Sequence, residues 1–97
     1  MDQAADEAAQ NGRGGAGAVV RSALQQFNDV TGQQAVAASG LRRDGEGWSV
    51  LVEVVELERI PDTTSVMATY RVDIDSQGDL TGFERLRRYT RGAVDRS

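Results

Sequence analysis

The side chains from Asp73 to Glu84 have the spacing of a calcium-binding loop. Such a loop places oxygen ligands at positions 1, 3 and 5, glycine at position 6 and glutamate at position 12. Counted from the first aspartate, the matching residues are Asp73, Asp75, Gln77, Gly78 and Glu84, and Asp79 adds a carboxylate. The flanking residues alternate with a period of two, whereas this loop type needs a helix on each side. We predict a strand-joining turn here, with calcium binding as the alternative.

A second group of residues, rich in arginine, lies near the end of the chain. Its members are Arg85, Arg87, Arg88, Tyr89 and Arg91. Arginine beside an aromatic ring is typical both of nucleic-acid patches and of protein interfaces. The net charge of −4 argues against nucleic acid, and Glu53, Glu56 and Glu58 would neutralise part of this charge if their strand were a sheet neighbour. We therefore predict no nucleic-acid partner, and either a protein-docking face made from the arginines that stay unpaired or a simple solvated sheet face.

Trp48, the single tryptophan, opens a long apolar run directly after a glycine. A tryptophan in this position is typical of core or rim packing, and it is also a candidate for partner contact.

Catalytic chemistry has little support in this composition. Cysteine and histidine are both absent, which removes thiolate nucleophiles, imidazole ligands and the usual neutral-pH base. Glu56 and Glu58 would lie about 7 Å apart on one strand face, which resembles a glycosidase carboxylate pair only superficially. We predict no enzyme activity, no catalytic residue and no cofactor.

The composition also limits where the protein works. No apolar run reaches the length of about 18 residues that a membrane span needs, and the N-terminus lacks the pattern of a secretory signal. Both observations favour a cytoplasmic protein. All basic residues are arginine, and alanine, glycine and valine are frequent, as in proteins of high-GC bacteria such as actinobacteria.

The chain divides into three segments. Residues 1–17 are acidic and glycine-rich, with nothing to bury, and are predicted to be a disordered leader. Residues 18–92 are predicted to form one domain, and 93–97 a short tail. Within the domain, apolar residues at spacings of three and four predict a helix over 18–30 that ends at Gly32. Its buried face would contain Val20, Ala23, Leu24, Phe27 and Val30.

The remainder of the domain reads as strands. A weak strand over 34–43 is followed by an Asp-Gly turn at Asp44 and by a long strand over 48–60. The alternation of this long strand slips near Val54 and Val55, which indicates either a β-bulge or burial of both faces of the strand. The next strand, 65–74, alternates cleanly. The residues predicted to face inward are Val66, Ala68, Tyr70, Val72 and Ile74, and those predicted to face outward are Met67, Thr69, Arg71 and Asp73. The last, 80–90, has Phe83, Leu86 and Tyr89 as anchors, and their spacing of three indicates a second bulge.

These elements predict an α+β fold in which one amphipathic helix packs on a four-stranded antiparallel meander. The outline is similar to cystatin-like and PepSY-like domains, a likeness of shape that carries no function by itself.

Several segments resemble the gas vesicle protein O family. They are Gly47–Val50, Glu53–Thr63, Ala68–Val72, Gly78–Leu80, Phe83 and Arg87–Tyr89. The likeness covers about residues 18–92, and its most specific part is the ERIPD-T step with the downstream RRY. A tyrosine is more usual in the family at Phe83, which is a mild departure.

The resemblance implies an accessory protein for making gas vesicles, the hollow protein shells that give some prokaryotes buoyancy. It implies contacts with other gas vesicle accessory proteins and with the shell subunit, a location in the cytoplasm or at the vesicle, and no catalytic residues. The residues alone leave two other classes open: a generic interaction or inhibitory module, and a calcium-binding domain built on the loop from Asp73 to Glu84.

Overall fold

One helix and four strands make up residues 15–93, the part of the chain that a computed structural model describes. The elements are α1 (Ala16–Thr31), β1 (Gln34–Asp44), β2 (Gly47–Leu57), β3 (Val66–Ile74) and β4 (Leu80–Thr90), with 3₁₀ turns at Asp62–Thr64 and Arg91–Ala93. The strands form one antiparallel sheet in the order β1-β2-β3-β4, and α1 lies on one face of it. The predicted α+β fold is confirmed. Most of the predicted leader and tail lies outside the described residues.

Helix α1 begins two residues before the predicted start and stops where predicted. Gly32 adopts a left-handed conformation (φ 72°), and its N–H donates to the Asn28 carbonyl at the helix end. The buried row runs at a spacing of four and has Ala23 and Phe27, both fully buried, at its centre. Thr31 continues this row. Val30 does not, and it is 62 % exposed, so its predicted place on the buried face was wrong.

The helix-facing side of the sheet forms the core. Alternate residues of β2 and β3 are buried there: Val50, Val52, Val54, Ala68, Tyr70, Val72 and Ile74. The Phe27 ring lies 5.0 Å from the Tyr70 ring and 5.6 Å from the Phe83 ring, measured between centroids. Offset and edge contacts of this kind stabilise a core beyond simple area burial. The inward face predicted for β3 is therefore confirmed.

Single extra residues interrupt the strand pairing at several points. Register shifts leave Val36 and Ser39 unpaired in β1, Glu56 in β2, and Thr81 and Leu86 in β4. The predicted slip in β2 is confirmed at Glu56, one residue after Val55, and the predicted bulge in β4 is confirmed at Leu86. Because a bulge reverses the alternation of side chains, Phe83 lies on the helix side while Tyr89 lies on the other face. The anchors predicted for β4 therefore do not share one surface.

The helix is fastened to the turn between β3 and β4. The Gln26 amide nitrogen donates to the Gly78 carbonyl at 2.8 Å, and its oxygen accepts from the Leu80 N–H at 2.9 Å. Ser22 donates to the same carbonyl. A residue early in the chain thus satisfies backbone groups of the last hairpin.

The connection from β2 to β3 is held closed by the end of β4. The buried Ser65 side chain accepts from the Arg59 N–H, and its carbonyl accepts from the Arg91 N–H. The Arg91 guanidinium also lies against the Asp62 carboxylate at 2.5–2.6 Å. Ile60 lies within this fixed loop and is 100 % exposed.

Candidate functional site

The sheet face opposite α1, called here the open face, carries the candidate site. Among residues 15–93 the helix packs on the other face, and no described helix or strand lies over this one. Its centre is a row of side chains, one from each strand: Ser39, Glu53, Thr69 and Tyr89. Strand pairing places Thr69 opposite both Glu53 and Arg87. The side chains of Ser39 and Tyr89 reach Glu53 from the two outer strands.

The Glu53 carboxylate is the centre of a hydrogen-bond network that joins all four strands. One of its oxygens, Oε1, accepts from the Thr69 hydroxyl at 2.7 Å and from the Tyr89 hydroxyl at 2.5 Å. The other, Oε2, accepts from the Ser39 hydroxyl at 2.5 Å. Three hydroxyl donors on one carboxylate favour its ionised form. This network ties the sheet together and leaves Glu53 few free lone pairs.

Two pKa values follow from this network. Partial burial raises the pKa of Glu53, but the hydrogen bonds from Ser39, Tyr89 and Thr69 and the charge of Arg87 outweigh it, so the pKa lies below its ordinary value. The pKa of the Tyr89 phenol is raised by burial and by its hydrogen bond to the Glu53 carboxylate. Glu53 is therefore the anion and Tyr89 the neutral donor at neutral pH.

Arg87 is the basic group of this row. Its Nε donates to the Thr69 hydroxyl at 3.3 Å, and its guanidinium lies 4.9 Å from the centroid of the Tyr89 ring. No carboxylate among the described residues pairs with it within 4 Å. Thr69 and Met67 beside it are 5 % and 4 % exposed although they face away from the helix. The result is an oriented cation on a well-packed surface.

The other predicted arginines lie elsewhere. Arg85 Nη1 and Arg88 Nε lie 3.1 and 2.9 Å from one oxygen of Glu56 on the helix side, and Arg91 pairs with Asp62. Glu56 also accepts from the Tyr70 hydroxyl at 3.0 Å. The structure therefore brings only Arg87 and Tyr89 of the predicted group onto the open face. The predicted neutralisation of these arginines by a glutamate of β2 occurs at Glu56. It takes place across the intervening β3, because β2 and β4 are not neighbours in the sheet.

A depression of about 430 Å³ adjoins this row on the open face. Its apolar lining includes Leu51 and Leu86, and Arg42 and Arg71 lie at its rim. Arg71 pairs with Asp73 at 3.4 Å and with Glu84 at 3.1 Å. Arg42 has no carboxylate within 4 Å in the described part of the chain.

The loop with calcium-like spacing is a hairpin turn. One oxygen of Asp75 accepts the N–H groups of Gln77 and Asp79, both at 2.9 Å, and Gly78 takes a positive φ of 89°. The two ends of the predicted ligand set, Asp73 and Glu84, lie against Arg71. Within residues 15–93 no group of three or more acidic side chains is arranged to hold a metal ion. The geometry is that of a turn, as predicted.

Trp48 faces the helix side of the sheet, and the two carboxylates whose spacing was compared with a glycosidase pair lie in different surroundings. Trp48 is half-buried at the rim of the core, and the Arg43 guanidinium lies 4.8 Å from its ring centroid on the helix side. Glu58 is exposed beyond the end of β2, whereas Glu56 is held by Tyr70 and two arginines. These two glutamates therefore do not form a paired site.

Sequence reasoning did not find Ser39, Thr69, Arg42 and Arg71 as parts of one surface. They belong to two strands, β1 and β3, which are not neighbours, and only the register of each strand against β2 brings them together. Alternation did indicate that Thr69 and Arg71 face outward. The helix found among the described residues is neither long nor apolar enough to cross a membrane.

Comparison with known proteins identifies the family. The model of the family "Gas vesicle synthesis protein GvpO" matches residues 2–95. The chain is 47 % identical to gas vesicle protein O of a Streptomyces species (strain CB03234) over 79 residues, 81 % of this chain and 62 % of that protein.

Two archaeal relatives match the chain over shorter stretches. Gas vesicle protein O1 of Halobacterium salinarum is 49 % identical over 48 % of this chain and 40 % of its own length. The Haloferax mediterranei gas vesicle protein O is 43 % identical over 50 % of this chain and 35 % of its own length. The chain thus spans less than two thirds of these relatives, and no solved structure matches it significantly. The match over nearly the whole chain shows that it belongs to the GvpO family of gas vesicle synthesis proteins.

Proposed function

We propose that this protein acts in gas vesicle synthesis as a non-enzymatic assembly factor of the cytoplasm. It binds other gas vesicle accessory proteins, and the shell subunit, through its open face. Membership of the GvpO family supports the role in gas vesicle synthesis. Binding through the open face is supported by the oriented Arg87 guanidinium, which lies on a sheet face that no described element covers.

The chemistry of Arg87 suggests which chemical group on the partner would bind to it. A guanidinium held by Tyr89 and Thr69 keeps its outer N–H groups for a bidentate contact, and its orientation is fixed before binding. The best match is a carboxylate on the partner, with an apolar group beside it to cover Leu86. The predicted group of four arginines is thereby reduced to Arg87 with Tyr89.

The bulges favour docking on the face over strand addition at an edge. Both outer strands, β1 and β4, contain two unpaired residues each: Val36 and Ser39, and Thr81 and Leu86. Bulges bend an edge and interrupt the row of backbone groups that another strand would pair with. The open face has no such interruption at Glu53 and Thr69.

The fixed carboxylates support a non-enzymatic role. Glu53 accepts three hydroxyl hydrogen bonds, and Glu56 accepts from Tyr70 and pairs with two arginines. A general base needs a free lone pair within reach of a substrate proton. Both residues act as internal ties of the sheet in this proposal.

Omission of this reading frame from a complete gas vesicle gene set, followed by electron microscopy, tests the proposal. We expect vesicles to be lost or malformed and to be restored by the wild-type chain. Normal vesicles in normal number without it would contradict the role and would favour a generic interaction module.

Two variants then test the face. Arg87→Gln removes the cation of the open face, and Arg88→Gln removes the neighbouring cation on the helix side. We expect only Arg87→Gln to fail in restoring vesicles while it retains the wild-type melting temperature. Equal restoration by both variants would contradict docking through the open face.

A further inference from the structure

Ile60 is an apolar side chain presented to solvent by a fixed loop. It is 100 % exposed, while the loop around it is closed by the Asp62–Arg91 ion pair and by the hydrogen bonds of the buried Ser65. Packing inside this chain therefore does not explain the position of the side chain. A rigid, exposed aliphatic group loses little entropy on binding, which is the property of an interface anchor.

The open face contains an apolar depression of suitable character. Leu51 and Leu86 line it, and Gly40 keeps it open, because a Cβ at that position would lie 3.1 Å from the Leu51 side chain. Its volume of about 430 Å³ is ample for one aliphatic side chain. The same chain therefore carries both an exposed aliphatic group and a site with an apolar lining.

Ile60 cannot reach the depression of its own chain. Leu51 and Leu57 are both in β2, and six residues of strand span about 20 Å. Ile60 lies still further along, in a loop that is held in place at Asp62 and Ser65. Contact between Ile60 and the depression therefore requires two molecules.

We propose that this protein self-associates head to tail, with Ile60 of one copy seated in the Leu51–Leu86 depression of the next. The exposed charges beside the two features include one complementary pair, and Arg59 is exposed next to Ile60 as well. Glu58 is exposed next to Ile60 and Arg42 is exposed at the rim of the depression. Neither has an ion-pair partner within 4 Å among residues 15–93. Opposite charges at the rim of a contact orient the encounter.

This contact is heterologous, since each copy gives Ile60 at one end and receives it on another surface. Repetition of such a contact adds further copies instead of closing a symmetric dimer. A single side chain with its rim buries much less than the roughly 1,200 Å² of a stable interface. The association is accordingly weak, and it goes beyond the proposed role in vesicle synthesis because it needs no other protein.

Sedimentation of the purified chain from about 10 µM to about 1 mM tests self-association. We expect the average mass to rise from the monomer value of 10.4 kDa with concentration. Ile60→Ser and Leu86→Glu each stay monomeric, whereas Val30→Ser, the same change at an exposed helix position, behaves as the wild type. A wild-type mass that stays at the monomer value throughout overturns the proposal.

A mixture of two variants tests the head-to-tail arrangement. Ile60→Ser keeps the depression and Leu86→Glu keeps Ile60, so an equimolar mixture can form one contact only. We expect a mass approaching two chains and no larger species, with both variants melting as folded proteins beforehand. A mixture that remains monomeric while the wild type associates shows a different contact and overturns the proposal.

Discussion

The Tyr89 hydroxyl donates to the Glu53 carboxylate across the full width of β3, the strand that separates their own two strands. Thr69 lies between them in β3 and donates to the same oxygen. The polar groups on the open face therefore interact across strands that share no backbone pairing.

Glu53→Gln should lower the free energy of unfolding by about 1–2 kcal/mol at neutral pH, because hydrogen bonds to a charged acceptor become neutral ones. The pKa of Glu53 is lowered in the folded protein. Its stabilisation is therefore present above the unfolded pKa of about 4.3 and is lost as the pH falls through the folded pKa. Urea unfolding of both proteins from neutral to acidic pH measures this, and a difference that does not shrink below about pH 4.3 would contradict it.

Glu56→Gln should lower the free energy of unfolding more than Glu58→Gln does. Glu56 is the shared partner of Tyr70, Arg85 and Arg88, and its side chain is only 12 % exposed. We expect a loss of about 1–3 kcal/mol. Glu58 is exposed, and its change should stay within about 0.5 kcal/mol. Thermal unfolding of the two variants measures these losses. Equal losses would mean that Glu56 is a solvated surface residue and not the centre of an ion-pair cluster.

Gly47→Ala should destabilise the protein strongly. A Cβ at Gly47 would lie 2.1 Å from the Ile74 carbonyl oxygen, which is backbone and cannot move aside cheaply. The cost should be at least about 2 kcal/mol. Gly82→Ala is the matched control in β4, since its Cβ would meet only an Asp73 oxygen, 4.0 Å away. If Gly47→Ala were as stable as Gly82→Ala, the close approach of β2 to β3 would be wrong.

Calcium should leave the melting temperature unchanged, because Asp73 and Glu84 are paired with Arg71 and one oxygen of Asp75 accepts the N–H groups of Gln77 and Asp79. A ligand stabilises a protein only by binding its folded form. Asp75→Ala should instead destabilise the calcium-free protein by about 1 kcal/mol through loss of the turn hydrogen bonds. A rise in melting temperature on adding calcium, abolished in Asp75→Ala, would restore the calcium-binding alternative.

The sequence predicted the elements well where local patterns determine them. The bounds of β4 and the stop of α1 at Gly32 follow from alternation and from turn chemistry, and both are confirmed. Val30 shows the limit of such reasoning, because helical spacing alone does not say which of two adjacent rows the sheet covers. Thr31 continues the row of Phe27 instead.

The candidate site was less predictable because it depends on bulges and register. Leu86 in β4 shifts the alternation, so that Arg85 and Arg87 face opposite sides of the sheet although they are two residues apart. A regular strand would have put both on one face. Met67 was predicted to face away from the helix, yet it is nearly fully buried, which strand alternation alone did not indicate.

The bond between Gln26 and the last turn has a consequence for the order of events during synthesis on the ribosome. Gln26 and Leu80 are 54 residues apart in the chain, and Phe27 packs against Tyr70 and Phe83, which are also synthesised well after it. Translation therefore produces α1 well before β3 and β4, the strands against which Phe27 and Gln26 pack. Its apolar stripe stays partly uncovered until β4 has emerged, which exposes it to chaperones and to neighbouring nascent chains.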